Sequence, residues 1–137
     1  RVMLSGLIVV GVACVVAGCT PASNLAVKID DGTLLIATCD KVDATEVGAW
    51  VSEPGEDTQT VWVAEGTHAF ASGDVFAYGT APKGMEDDTP AQPLPSRGRV
   101  GVHVLGESWS LRGAFDIQVL DDGDWHAADG SARVDAC

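Results

Sequence analysis

Basic residues are scarce. Eight Lys and Arg stand against 20 Asp and Glu in 137 residues, an imbalance that repels phosphate backbones and anionic headgroups and excludes nucleic-acid binding. Charge of either sign is missing altogether from Val2 to Gly18. Beyond that run no window repeats apolar residues at a 3.6-residue period over helical length, which argues against a helical domain. CxxC pairs, an HExxH element and EF-hand spacing are all missing, so the usual zinc and calcium motifs are not present. No internal repeat is visible, and the length suits one domain with a single core.

The uncharged run ends Val16-Ala17-Gly18-Cys19 and is followed by Thr20-Pro21-Ala22-Ser23-Asn24. It is short of the roughly 20 apolar residues that span a bilayer, and no cluster of Lys or Arg follows to stop transfer. Small residues before a cysteine admit an extended backbone to a peptidase cleft, as at a signal-peptide junction. The stretch resembles the lipobox signal peptides of bacterial lipoproteins. That resemblance implies removal of residues 1–18, diacylglyceryl modification of the Cys19 sulfur, and a domain held on the outer face of the cytoplasmic membrane. Arg1 alone represents the positive start of such a leader, so its beginning is expected upstream. Residues 19–24 then form a lipidated tether reaching no more than about 20 Å. With Arg1 set aside, 20 acidic side chains face 7 basic ones, a formal charge of about −13. Such a charge favours solubility and the approach of cationic partners.

Four cysteines permit three pairings. If the lipoprotein resemblance holds, Cys14 leaves with the leader and Cys19 becomes a thioether, so Cys39 and Cys137 remain. An exported domain is expected to join them. Closing so long a loop should contribute about 4 to 5 kcal/mol on the chain-entropy view.

Residues 25–137 are expected to be all-β. Leu25-Ala26-Val27-Lys28-Ile29 and Thr33-Leu34-Leu35-Ile36-Ala37-Thr38-Cys39 read as a hairpin around Asp30-Asp31-Gly32. Further strands are expected at Val47 to Val51 after a polar bridge from Asp40 to Glu46, at Thr58 to Ala64 with Glu65-Gly66 as its exit, and at Asp74 to Tyr78. His68 to Ala71 reads as either a short strand or a loop. Arg99 to Val104 alternates, with three valines on one face, and so does Ala114 to Leu120 before the turn Asp121-Asp122-Gly123-Asp124. Trp125 to Ala127 and Ala132 to Cys137 close the chain. Ala81 to Gly98, with four prolines and the triplet Glu86-Asp87-Asp88, lacks strand character and reads as a solvated excursion or recognition loop.

Short strands at turn intervals of about ten residues predict a small antiparallel β-sandwich. Trp50 eleven residues after Cys39 resembles the cysteine-then-tryptophan arrangement of immunoglobulin-like sandwiches, which implies an indole packed on the disulfide. Asp135, rather than Tyr, stands two places before Cys137. Taken whole, the lipobox, the Ala, Val, Gly and Asp-rich composition and the final cysteine resemble small lipoproteins of high-GC Gram-positive bacteria. That likeness implies an address and no activity.

Candidate site residues are few. Asp121, Asp122 and Asp124 could face a calcium ion, although a hairpin turn uses the same residue types. His68, His103 and His126 share no ligand spacing. Gly106-Glu107-Ser108-Trp109-Ser110 ends in Ser where a nucleophile elbow needs Gly, and Glu53 with Glu56 merely flank a Pro-Gly turn. Among the four tryptophans Trp50 is expected in the core, Trp62 and Trp125 on either face, and Trp109 exposed. Trp109, Met85 and Leu94 are the candidate ligand contacts. The expectation is a non-enzymatic binding or protein-interaction module that needs no cofactor, with an unidentified protein or cell-envelope partner. The alternative is a calcium- or carbohydrate-binding module.

Overall fold

The computed structural model describes residues 24–137. Residues 1–23, with the leader, the lipobox and Cys19, lie outside the described part. Among the described residues ten strands run in chain order as β1 (Leu25–Asp30), β2 (Thr33–Thr38), β3 (Val42–Ser52), β4 (Gln59–Phe70), β5 (Asp74–Ala77), β6 (Met85–Thr89), β7 (Arg99–Leu105), β8 (Ser110–Asp116), β9 (Trp125–Ala127) and β10 (Ala132–Arg133). They form two five-stranded antiparallel sheets, ordered β10-β9-β1-β2-β5 and β6-β4-β3-β7-β8. The two sheets pack into the expected sandwich. No helix among the described residues is long and apolar enough to cross a membrane.

Alternation builds the core. Leu34 and Ile36 of β2 face Val47, Ala49 and Val51 of β3, Trp62 of β4 and Val100, Val102 and Val104 of β7 in one buried cluster, because successive side chains in a strand leave opposite faces. The three valines of β7 point inward as their spacing predicts. The β1–β2 hairpin turns on Asp31 and Gly32, both at positive φ, the conformation a two-residue type I′ turn requires.

The indole at the centre is Trp62, fully buried, whose Nε1–H donates to Asp87 Oδ1 at 2.9 Å. Tyr78 meets it edge-on at 5.6 Å between ring centroids. Trp50 is not in the core. It leaves β3 on the face opposite Val47, Ala49 and Val51, is partly exposed, and lies over Gly101 on the outside of its sheet, away from the disulfide. Trp125 closes a second, smaller cluster on the outer face of the other sheet with Ala26, Ala37 and the partly buried Ala136, and Lys28 Nζ stands 5.4 Å above its ring.

Cys39 and Cys137 form the expected disulfide, with Cα atoms 5.5 Å apart. It ties Cys137 beside β2 and holds Ala136 against the small cluster of Ala26, Ala37 and Trp125.

Several boundaries differ from the sequence reading. The polar bridge from Asp40 to Glu46 is largely strand, since Ala44 is buried and a bulge between Ala44 and Glu46 restores the alternation. Glu65-Gly66 does not end β4, which runs on through His68 to Phe70. The excursion from Ala81 to Gly98 contains β6, whose Met85 is buried and whose Asp87 caps the Trp62 indole. β8 begins and ends earlier than its alternation suggested. Beyond Asp116 the chain forms the 3₁₀ helix Val119–Asp122, which drops Ile117 and Leu120 onto the core.

Candidate binding cleft

At the end of the sandwich that carries the β1–β2 turn, the two sheets do not close on each other. A cleft of about 270 Å³ opens there, lined by Ile29, Gly32 and Leu34 from the first sheet, Val100 from the second, Leu94, Pro95 and Ser96 from the proline-rich segment, and Ile117, Leu120 and Asp121. Leu34, Val100, Ile117 and Leu120 are core residues that form its floor. Ser96 and Asp121, both exposed, supply a hydroxyl and a carboxylate at the rim. An apolar floor with a few polar groups at the mouth is how small-ligand sites are built, and this volume is near the lower end of their usual range of about 300 to 1,000 Å³. The cleft therefore suits a compact apolar group with a hydrogen-bond donor or positive charge beside it.

Two larger hollows are shallower. One is bounded by Glu53, Pro54 and Arg97, the other by His68, Phe70, Val75 and Pro82. In the first, Glu53 hydrogen-bonds Glu56, which holds its carboxyl above the ordinary carboxylate value.

The sequence-nominated residues divide. Leu94 is a wall of the cleft and Asp121 stands on its rim. Met85 is buried against the core and is no ligand contact, because β6 turns its one apolar side chain inward. Trp109 is partly buried rather than free, laid over Gly106 in the β7–β8 hairpin, where Gly106 N–H donates to the Trp109 carbonyl at 3.0 Å.

The three aspartates do not converge. Asp122 accepts from His126 Nε2 at 2.9 Å and from the Asp124 backbone N–H at 2.9 Å; the His126 hydrogen bond is the main reason its carboxyl is held below the usual carboxylate range. Among the described residues no group of three or more His, Cys, Asp or Glu could hold a metal ion. The histidines are separately engaged. His68 Nδ1–H donates to the Lys83 carbonyl at 2.7 Å, and His103 Nε2–H donates to Glu46 Oε2 at 2.8 Å. Neither His103 nor His126 is hydrogen-bonded to a serine, so the described part assembles no serine–histidine nucleophile.

No protein family, curated protein or solved structure matches the chain. Its function is therefore read from its own geometry.

Ile29, Leu34, Val100, Ile117 and Leu120 are indistinguishable from core in a linear pattern. What marks them is the gap between the sheets, which no single segment encodes. The clustered prolines around Leu94 were the one sequence signal nearby.

Proposed function

We propose that this chain is a non-catalytic, extracytoplasmic binding domain, held to the membrane through Cys19, that presents the cleft on the pole away from its anchor. The observation that carries this reading is the polarity of β1. Asn24, the last residue before the strand, accepts from the Cys39 N–H at 2.9 Å at one end, while Ile29 and Gly32 line the cleft at the other. Six strand residues separate the two poles, about 20 Å at 3.3 Å per residue. A short tether on the Asn24 side leaves the mouth facing outward. The Cys39–Cys137 disulfide supports the same address, since such bonds persist outside the reducing cytoplasm.

The test is depth. A fluorophore carried on a non-natural amino acid in place of Ser72, near Cys39, or of Ser96, at the cleft rim, is read in vesicles whose headgroups bear a quencher. The intact lipidated protein should show strong quenching at position 72 and weak quenching at 96, and Cys19→Ala should abolish both by releasing the protein. Equal quenching at the two positions, or unchanged membrane retention of Cys19→Ala, would contradict the reading.

A further inference from the structure

The outer face of the β6-β4-β3-β7-β8 sheet carries a second feature, independent of the cleft. Its register places Trp50, Gly101 and Ala114 in one row across β3, β7 and β8, and Gly48, His103 and Arg112 in the next. Trp50 leans from β3 over Gly101, and His103 leans from β7 over Gly48. A Cβ at Gly48 would meet His103 Cε1 at 2.6 Å and Nε2 at 2.7 Å, and one at Gly101 would collide with the Trp50 indole along Cε2, Nε1 and Cζ2. Both rings therefore rest against backbone where glycine leaves room, the arrangement by which an aromatic covers a strand glycine. The result is a low shelf centred on the partly exposed Trp50, with Ala114 next to the indole in place of any bulky neighbour and the largely buried His103 in the adjoining row.

Hydrogen-bonding groups frame the shelf. Glu46 is engaged on both sides, accepting from His103 at 2.8 Å and hydrogen-bonded to Glu65, and closes the shelf beyond His103. Arg112, exposed on β8, offers guanidinium donors on the opposite side of His103. Thr60 pairs with Trp50 across β4 and is likewise exposed. An indole face bordered by a guanidinium donor and by a hydroxyl that both donates and accepts is complementary to a ring that has an apolar C–H face and an equatorial belt of hydroxyls. The chain's acidity disfavours an anionic version of that ligand.

We infer that this shelf binds a neutral oligosaccharide, with one pyranose ring stacked on Trp50 and its hydroxyls bonded to Arg112 and Thr60. The occupant is a flat glycan rather than a protein, because two glycines and an alanine provide no pocket for an anchoring side chain.

Titration of the ¹⁵N-labelled full chain with cellohexaose and, separately, chitohexaose tests it. At least one of them should shift the Trp50 Nε1–H and Arg112 Nε–H resonances saturably, with Trp50 assigned by its loss in Trp50→Phe. Trp50→Ala should weaken binding at least tenfold, and Trp50→Phe should retain most of it. Arg112→Glu, an exposed substitution that leaves the core intact, should also weaken binding at least tenfold and serves if Trp50→Ala fails to fold. No saturable shift with either sugar overturns the inference. So does undiminished binding by Arg112→Glu, or shifts confined to Leu94 and Leu120, which would move the sugar to the cleft. None of these results bears on membrane anchoring, so failure here and failure of the proposed address remain distinguishable.

Discussion

Single side chains explain why some positions tolerate no exchange and others invite one. Gly101→Ala forces a methyl into the Trp50 ring, and overpacking of this kind costs about 1 to 3 kcal/mol. Urea denaturation should register that loss, and adding Trp50→Ala should recover part of it. Thr38 presents the opposite case. It is fully buried with a hydroxyl that has no partner, and removing an unsatisfied polar atom without changing shape is neutral to stabilising. Thr38→Val should therefore raise stability by up to about 1 kcal/mol; a loss of similar size would reveal a hydrogen bond. His103 sets a pH response. Burial presses its pKa below the ordinary imidazole value, with Glu46 opposing and Arg112 assisting. The unfolded ring takes up a proton near pH 6.5 while the folded ring resists it. Stability from this group is thus fully present above that value and lost as pH falls toward the lower folded one. Unfolding free energies at pH 7.5 and 5 should differ, and His103→Gln should shrink the difference; an unchanged difference would locate its cause elsewhere. Part of this was legible beforehand. The inward valines of β7 and the Asp31-Gly32 turn follow from alternation and backbone preference alone, whereas the outward aim of Trp50 depends on the phase of β3.

Elements were legible where pattern and environment agreed and illegible where tertiary contacts overrode local preference. The first hairpin follows from periodicity, whereas the Cys39–Cys137 pairing follows only through the lipoprotein resemblance, which sets Cys14 and Cys19 aside. β6 follows from neither, because Met85-Glu86-Asp87-Asp88-Thr89 is mostly acid, and acids are depleted in strands. What makes it a strand is position: it is an edge, where charge discourages further pairing, and it is fixed by one buried methionine and by the Asp87 bond to Trp62. The 3₁₀ helix is similar, since Ile117 and Leu120 reach the core only because the chain leaves strand geometry after Asp116. Met85→Ala should cost about 2 to 5 kcal/mol and speed amide exchange across β6, as followed by hydrogen–deuterium exchange. A solvated loop there would lose almost nothing, and that result would overturn the assignment of β6 as a fixed strand. The cleft was half visible at this scale: Leu94 stood out beside its prolines, while its floor read as ordinary core.

At the scale of the whole molecule, the described residues form a two-ended body. One end gathers Asn24, the Cys39–Cys137 disulfide and the chain terminus; the other holds the β1–β2 turn, the 3₁₀ helix and the cleft. Removing the disulfide by Cys137→Ser should cost about 4 to 5 kcal/mol on the loop-entropy view, less if the unfolded chain stays compact. It should also loosen Ala136 from the outer cluster beside Trp125, visible as a red shift of tryptophan emission. A strongly acidic surface favours solubility. The proposed membrane address rests on the resemblance at residues 16–19 and can be checked chemically. Mass analysis of the N-terminal peptide from protein purified out of native membranes should find a chain beginning at Cys19 with a diacylglyceryl thioether. A longer chain with an unmodified Cys19 would contradict both the anchoring and the outward orientation of the cleft.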